Sequence, residues 1–203
     1  RARRHAHGTL LDVGCGSRPF APLFLGFAER YLGLDLPGSP DLSRRRPEVY
    51  GDAGWLPIRS GSVDTVLSLS MFDLVHEPAR VLAEMRRILA PGGVLIVEFV
   101  QTVPVCRSSP DLWRFTRLGV ERLLSDAGLE PVEIIKIGGL PGYVGSVSIG
   151  WLNRLNRGPW RLLTELPVRL LYILIQSIAE ALDRFWVGSN EVMAHVIVAR
   201  ISP

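Results

Sequence analysis

The chain has 203 residues, of which 47% are hydrophobic and 21% charged, and it carries a net charge of +3. That composition suits one globular domain with a sizeable core and excludes a disordered chain. The basic character is almost all arginine, since Lys136 is the only lysine, and no run of interleaved basic and stacking aromatic residues points to nucleic acid.

Arg1 to His7 is basic and polar and lacks the apolar segment of a secretory signal. Residues 1–8 therefore read as a flexible tail, with His5 and His7 inside it and not at a metal. The chain opens on Arg1 and not on methionine, so either a trimmed chain or a missing N-terminal segment is expected. Thr9 to Val13 reads as a buried strand, and residues 9–203 as one domain. Gly14-Cys15-Gly16 follows as a tight turn, because two residues without Cβ let the backbone bend and let a ligand lie against its N–H groups. Asp12, just before the turn, is placed to meet a cationic group. Pro19 and Pro22 suit a helix start, and the helical spacing runs to about Ala28.

Tyr31 to Asp35 reads as a second strand. Its closing acid falls about 20 residues past the glycine turn, where nucleotide-binding α/β domains place a carboxylate for ribose hydroxyls. The stretch 37–47 is a loop rich in Pro, Ser and Arg. Glu48 to Asp52 is a short third strand and Val63 to Leu69 a strong fourth. Pro78 opens an amphipathic helix with Val81, Leu82, Met85, Ile88 and Leu89 on one stripe, and Pro91-Gly92-Gly93 closes it. Val94 to Val100 is the fifth strand, with Glu98 as its one acid. Strand, helix and strand in this order predict a doubly wound parallel sheet. Such sheets bind ligands beyond the carboxyl ends of their strands. Gly14, Asp35, Asp52, Ser70 and Glu98 all follow or end strands, and so gather on one rim.

An irregular stretch, 101–116, precedes a helix over 118–127 and a sixth strand over 131–137. A final strand covers 192–201 and holds His195 as a packed residue. Between these strands lies an apolar helical insert, 140–190, with Trp151, Trp160 and Trp186 and arginines at 154, 157, 161 and 169. The uncharged window between Arg169 and Glu180 is far short of the ~20 residues that span a bilayer. A buried helix, a homodimer interface and a helix lying on a membrane surface all fit it. Cys15 and Cys106 form neither a disulfide framework nor a zinc pattern, so no metal is expected. A cytoplasmic setting fits, with peripheral contact at the inner membrane surface as its extension.

The stretch Leu11-Asp12-Val13-Gly14-Cys15-Gly16, then Tyr31 to Asp35, Gly51-Asp52-Ala53 with Leu56-Pro57, Val63 to Val66 and Leu82 to Gly93 together resemble the class I S-adenosylmethionine-dependent methyltransferases. The match is to the UbiE-like, type 11 group. The resemblance implies seven strands with the last antiparallel, helices on both faces, and S-adenosylmethionine as cofactor. It implies that Gly14, Cys15 and Gly16 approach the methionine portion and that Asp12 helps place its amino group. Asp35 and Leu36 would take the ribose, Asp52 and Ala53 the adenine, and Ser70 and Met71 would border the amino-acid end. Two departures stand out. Arg18 replaces a third glycine, within a Ser17-Arg18-Pro19-Phe20 run seen in a related subgroup. Leu74 replaces a histidine, leaving His76 two residues on.

Asp111 to Thr116 resembles members that accompany glycan or polyketide biosynthesis. The expected reaction is methyl transfer to a small-molecule hydroxyl of a glycan, polyketide or lipid-linked metabolite. His76, Glu98 and Asp73 are the candidate bases, and Asp111 and Arg114 the candidate acceptor contacts; Arg114 either binds an anionic acceptor or pairs with a nearby acid. The insert is expected to wall or cover the acceptor site. The rival readings are a non-catalytic module of this fold used for assembly or membrane association, and a nicotinamide-dependent oxidoreductase. The latter lacks its third glycine, since Pro19 stands there.

Overall fold

A computed structural model describes residues 1–39, 46–105, 110–155, 161–185 and 192–202. The strands are β1 (Thr9–Val13), β2 (Arg30–Asp35), β3 (Val49–Tyr50), β4 (Val63–Ser68), β5 (Leu89–Val100), β6 (Leu129–Ile137) and β7 (Ala194–Ile201). The helices are α1 (Ala21–Phe24), α2 (Pro78–Ile88), α3 (Arg117–Asp126), α4 (Leu140–Leu155) and α5 (Arg161–Phe185). The sheet order is β3-β2-β1-β4-β5-β7-β6, with six strands parallel and the last antiparallel. The chain divides into two compact units, one made of residues 1–100, 107–135 and 195–203 and the other of 101–106 and 136–194.

The central strands of the first unit send successive side chains to opposite faces. Leu11, Val66, Leu95 and Val97 join a core completed by Val81, Leu82, Met85 and Ile88 of α2 and by Val120 and Leu124 of α3. Leu10, Leu67, Val94 and Ile96 face the other way, against Ala6 and Phe24. Near-continuous apolar runs are what strands covered on both sides require. Helix α2 ends at Ile88, earlier than the Pro91-Gly92-Gly93 signal. Gly61 and Ser62 donate to the carbonyls of Arg87 and Ile88 at 3.0 and 2.9 Å, satisfying its last turn, and Leu89 then pairs with Val63 of β4. Pro91, Gly92 and Gly93 lie inside β5.

Residues 1–8, expected as a tail, make contacts with the rest of the first unit. Ala6 is buried, the His7 N–H donates to Thr65 Oγ1 at 3.0 Å and the Thr65 hydroxyl donates back to the His7 carbonyl at 2.8 Å. His5 Nε2 meets Glu133 Oε2 at 2.9 Å. The charged spacing hid two small apolar contacts, Ala6 in the core cluster and Ala2 packed against it. His195 is buried within β7, as its strand setting predicts.

In the second unit Asp183 of α5 accepts from the Gly139 and Gly142 N–H groups at 3.1 and 3.3 Å. A carboxylate thus caps the positive end of α4. Gly145 lets the two helices approach, since a Cβ there would lie 3.2 Å from that of Ala179. Along one edge of α5, Leu166, Leu170, Leu174, Ile178 and Leu182 recur at every fourth residue and are all exposed. No helix among the described residues is long and apolar enough to cross a membrane. Cys106, Arg157, Trp160 and Trp186 lie outside the described residues, as does the side chain of Arg161.

Candidate cofactor and acceptor site

Gly14 and Gly16 take φ of +76° and +49°, which residues with a Cβ rarely adopt. The turn is tied to β2, because the Gly14 and Cys15 N–H groups both donate to the Leu34 carbonyl, at 2.9 and 3.1 Å. It also closes on the loop after β4, where a Cβ on Gly14 would lie 2.8 Å from Met71 Sδ. Cys15 is buried beneath the turn. Burial first, and then the negative charges of Asp12 and Asp35, push its thiol up to about 11, so it packs as a neutral group.

Asp35 ends β2 with one oxygen on each flank of the site. Its Oδ2 accepts from the Gly16 N–H and its Oδ1 from the Leu36 N–H, both at 2.7 Å. Each oxygen keeps a further lone pair for a ligand hydroxyl, and Leu36 beside it is half exposed. Asp52 is exposed, and its Oδ1 accepts from the Gly54 N–H at 2.7 Å. Ala53 packs against the core. The sequence reading missed what holds this loop. Arg80 donates to the Gly54 carbonyl at 3.0 Å and lies over the Trp55 ring. Glu84 accepts from the Leu56 N–H at 2.8 Å, and Arg87 donates to the Leu56 and Ile58 carbonyls, each at 2.9 Å. Their spacing at 80, 84 and 87 marks one face of α2, away from its apolar stripe.

Ser70 takes φ of +55°. Its N–H and its hydroxyl both donate to Glu98 Oε2, each at 2.9 Å. Glu98 is therefore the group that holds a strained residue after β4, which accounts for an acid in an otherwise apolar strand. Asp73 is half buried. Burial, and then the Asp111 charge, raise its carboxyl above the ordinary range, against the Arg114 charge and a backbone hydrogen bond. Its carbonyl accepts from the Leu112 N–H at 2.7 Å, and Trp113 Nε1 donates to the Val75 carbonyl at 2.7 Å. Arg114 grips Asp111 with both terminal nitrogens, Nη2 to Oδ2 at 2.8 Å. Of the two roles expected for Arg114, the structure shows the pairing with an acid. His76 is exposed, just before α2.

Asp12 is 2% exposed and accepts from the Tyr31 hydroxyl. Its carboxyl is raised from 3.8 to about 6, by burial first, while Tyr31 and Arg18 pull the other way. An acid raised on folding stabilises the fold fully only below its unfolded value, and that contribution is lost as pH climbs through the folded value. Ionising Asp12 therefore costs about 3 kcal/mol between those two pH values. Asp12→Asn is expected to melt higher than the parent at pH 8, with the gap narrowing to about half as pH falls to 5, in paired calorimetric scans.

Asp52 follows β3, Asp35 ends β2, Gly14 follows β1, Ser70 follows β4 and Glu98 lies near the end of β5. These five strands are consecutive in the sheet. The site straddles the point between β1 and β4 where the strand order reverses, the place where open α/β sheets bind ligands.

Residues 11–97 match the family model described as "Methyltransferase domain" (Methyltransf_11). An uncharacterized methyltransferase of Mycobacterium avium is 35% identical over 99 residues, which cover 45% of this chain and 39% of that relative. The chain thus matches about four tenths of the length of that curated relative. Among solved structures, a chain of the complex between the Haloferax volcanii Trm112 methyltransferase activator and a candidate methyltransferase superposes with a TM-score of 0.61. It is 20% identical and covers 100% of this chain and 87% of that one. The Burkholderia thailandensis 1,6-didemethyltoxoflavin-N1-methyltransferase, with S-adenosylhomocysteine bound, gives 0.59 at 15% identity, covering 96% and 71%.

Proposed function

We propose that this chain, whose residues 11–97 match a methyltransferase domain model, is a class I S-adenosylmethionine-dependent methyltransferase of the type 11 group, and that it methylates a hydroxyl of a small-molecule acceptor at the rim of β1, β2, β4 and β5. The observation that carries this is the gathering of the Gly14–Gly16 turn with Asp35, Asp52 and Ser70 at the ends of neighbouring strands. The donor set fits the cofactor, whose ribose hydroxyls and exocyclic amine need acceptors, and carboxylates at Asp35 and Asp52 provide them. S-Adenosylmethionine supplies a methyl group already activated on a sulfonium.

Asp35 and Leu36 hold the ribose, Asp52 and Ala53 the adenine. Gly14, Cys15 and Gly16 give the backbone close approach at the methionine end, with Ser70 and Met71 as its border. Asp12 acts there as a buried charge, its carboxylate already occupied by Tyr31. With the donor activated, fixing the acceptor oxygen in line provides much of the acceleration. Asp73 takes the acceptor proton. Among the three candidate bases Glu98 is engaged with Ser70 and His76 is exposed, whereas Asp73 sits half buried beside Asp111 and Arg114 with its proton affinity raised. A base works only when ionised, so activity should fall on the acid side through a pKa above the usual carboxylate range. Asp73→Asn is expected to lower kcat about 100-fold, leave S-adenosylhomocysteine affinity unchanged, and remove that acid limb from the pH–rate profile.

Glycan, polyketide and lipid-linked hydroxyls are the acceptor classes. A cavity of about 370 Å³ between α4 and α5, lined by Val144, Gly145, Ile175 and Ile178 among others, supports the lipid-linked class. The exposed apolar edge of α5 supports peripheral contact with a lipid surface. One experiment tests these readings: calorimetric binding of S-adenosylhomocysteine, then transfer of labelled methyl to a panel of the three acceptor classes, with the lipids in sedimentable vesicles. Binding with transfer is expected. Binding without transfer to any acceptor would favour a non-catalytic module, and absence of binding would remove the proposal.

A further inference from the structure

Arg18 is a buried cation where the common pattern has a glycine. Its φ is +60°, a conformation that suits glycine and strains a side-chain residue, and its side chain is only 2% exposed. Strain and desolvation both oppose an arginine here. What it gains is a set of fixed partners. Nη2 donates to the Arg46 carbonyl at 2.9 Å and to Glu48 Oε2. The same Glu48 oxygen accepts from the Gly33 N–H at 2.7 Å. Gly33 is the residue of β2 that leaves room for this, because a Cβ there would lie 2.8 Å from Arg18 Nε and 2.7 Å from Cys15 Sγ.

The pair therefore joins three pieces that carry cofactor groups. Arg18 belongs to the glycine turn, and its own N–H donates to the Cys15 carbonyl at 2.8 Å. Gly33 lies two residues before Asp35. Glu48 immediately precedes β3, which leads to Asp52, and the Gly51 N–H donates to the Asp35 carbonyl at 3.1 Å. We propose that Arg18 and Glu48 are positioning residues: their ion pair latches the glycine turn to β2 and β3, so that the Asp35 carboxylate, held by the Gly16 N–H, stands ready for the adenosyl group. This rests on the cofactor reading above. Only the Arg18 side of the pair is buried, since the Glu48 side chain is 42% exposed; desolvating one charge makes the pair a poor source of stability, but its fixed partners hold one geometry, and a preformed site binds more tightly than one that must be ordered.

The test measures S-adenosylhomocysteine affinity by calorimetry, amide exchange at Gly16 and the ligand-free melting temperature. The proteins compared are the parent, Arg18→Gly, Arg18→Lys, Glu48→Gln and the double variant Arg18→Gly/Glu48→Gln. Glycine accepts the backbone conformation, so Arg18→Gly is expected to fold. It should bind at least 10-fold more weakly and exchange Gly16 faster, without a matching drop in melting temperature. Glu48→Gln should lose a similar factor, the double variant no more than the worse single, and Arg18→Lys should recover most of the loss. If Arg18→Gly does not fold, Glu48→Gln and Arg18→Lys carry the same comparison. Parent-like affinity in Arg18→Gly or Glu48→Gln, or fully additive losses, would overturn the latch while leaving the cofactor reading intact. A folded parent that binds no S-adenosylhomocysteine would overturn both.

Discussion

Asp35→Ala is expected to weaken S-adenosylhomocysteine binding at least 100-fold in a calorimetric titration. The carboxylate faces two ways. On the protein side it accepts from the Gly16 and Leu36 N–H groups, each at 2.7 Å; on the ligand side its remaining lone pairs take the ribose hydroxyls under the proposed function. Hydrogen bonds to a charged acceptor are worth about 1.5–3 kcal/mol each, so losing two to the ligand alone accounts for the factor. The turn also loses its anchor, leaving the Gly16 N–H unpaired. Asp35→Asn separates the two contributions. Its amide keeps one acceptor oxygen but sets an NH2 group against a backbone N–H, so it should recover little. An affinity within 3-fold of the parent in either variant would show that the ribose lies elsewhere.

Gly14→Ala should be the most damaging single-methyl change in the site. A φ of +76° costs a residue with a Cβ about 1 kcal/mol or more. The new Cβ would also stand 2.8 Å from Met71 Sδ and 3.2 Å from Met71 Cβ. Methionine adapts readily, but its Cβ cannot move without the loop that holds Ser70. Stability is expected to fall by about 2 kcal/mol and cofactor affinity by at least 100-fold, read by thermal melting and by titration. In Gly14→Ala/Met71→Ala the contacts with Sδ and Cγ are removed, while the 3.2 Å approach to the Cβ of residue 71 and the backbone strain remain, so stability should return in part. Full affinity in Gly14→Ala would mean that the turn does not approach a ligand.

Much of the fold was legible because its signals are local. Alternation of apolar runs with turn residues placed the strands from Thr9 to Val100, whereas the switch point between β1 and β4 emerged only with the sheet order. The insert was visible as a break in composition, although its division into α4 and α5 was not. The errors have physical causes. Residues 1–8 carry four ionisable side chains in their first five positions, yet Ala6 docks into the core with Ala2 packed against it, because small apolar residues in the right places outweigh a polar surround. Pro91-Gly92-Gly93 looks like a helix stop, yet α2 had already been capped by the turn at Gly61 and Ser62, a partner 26 residues upstream.

The sequence by itself determined which residues lie at or just beyond the carboxyl ends of the strands: Gly14, Asp35, Asp52, Ser70 and Glu98 follow from periodicity and turn chemistry, which act over a few residues. Only the tertiary structure decided what those residues and their neighbours bind. Glu98 holds Ser70 from 28 residues away, Tyr31 occupies Asp12, Arg114 is committed to Asp111, and Arg18 is committed to Glu48 across 30 positions. A charged side chain has several partners within reach of its stem, and chain order does not rank them. Packing does, by fixing which acceptor stands within 3 Å once water has been excluded.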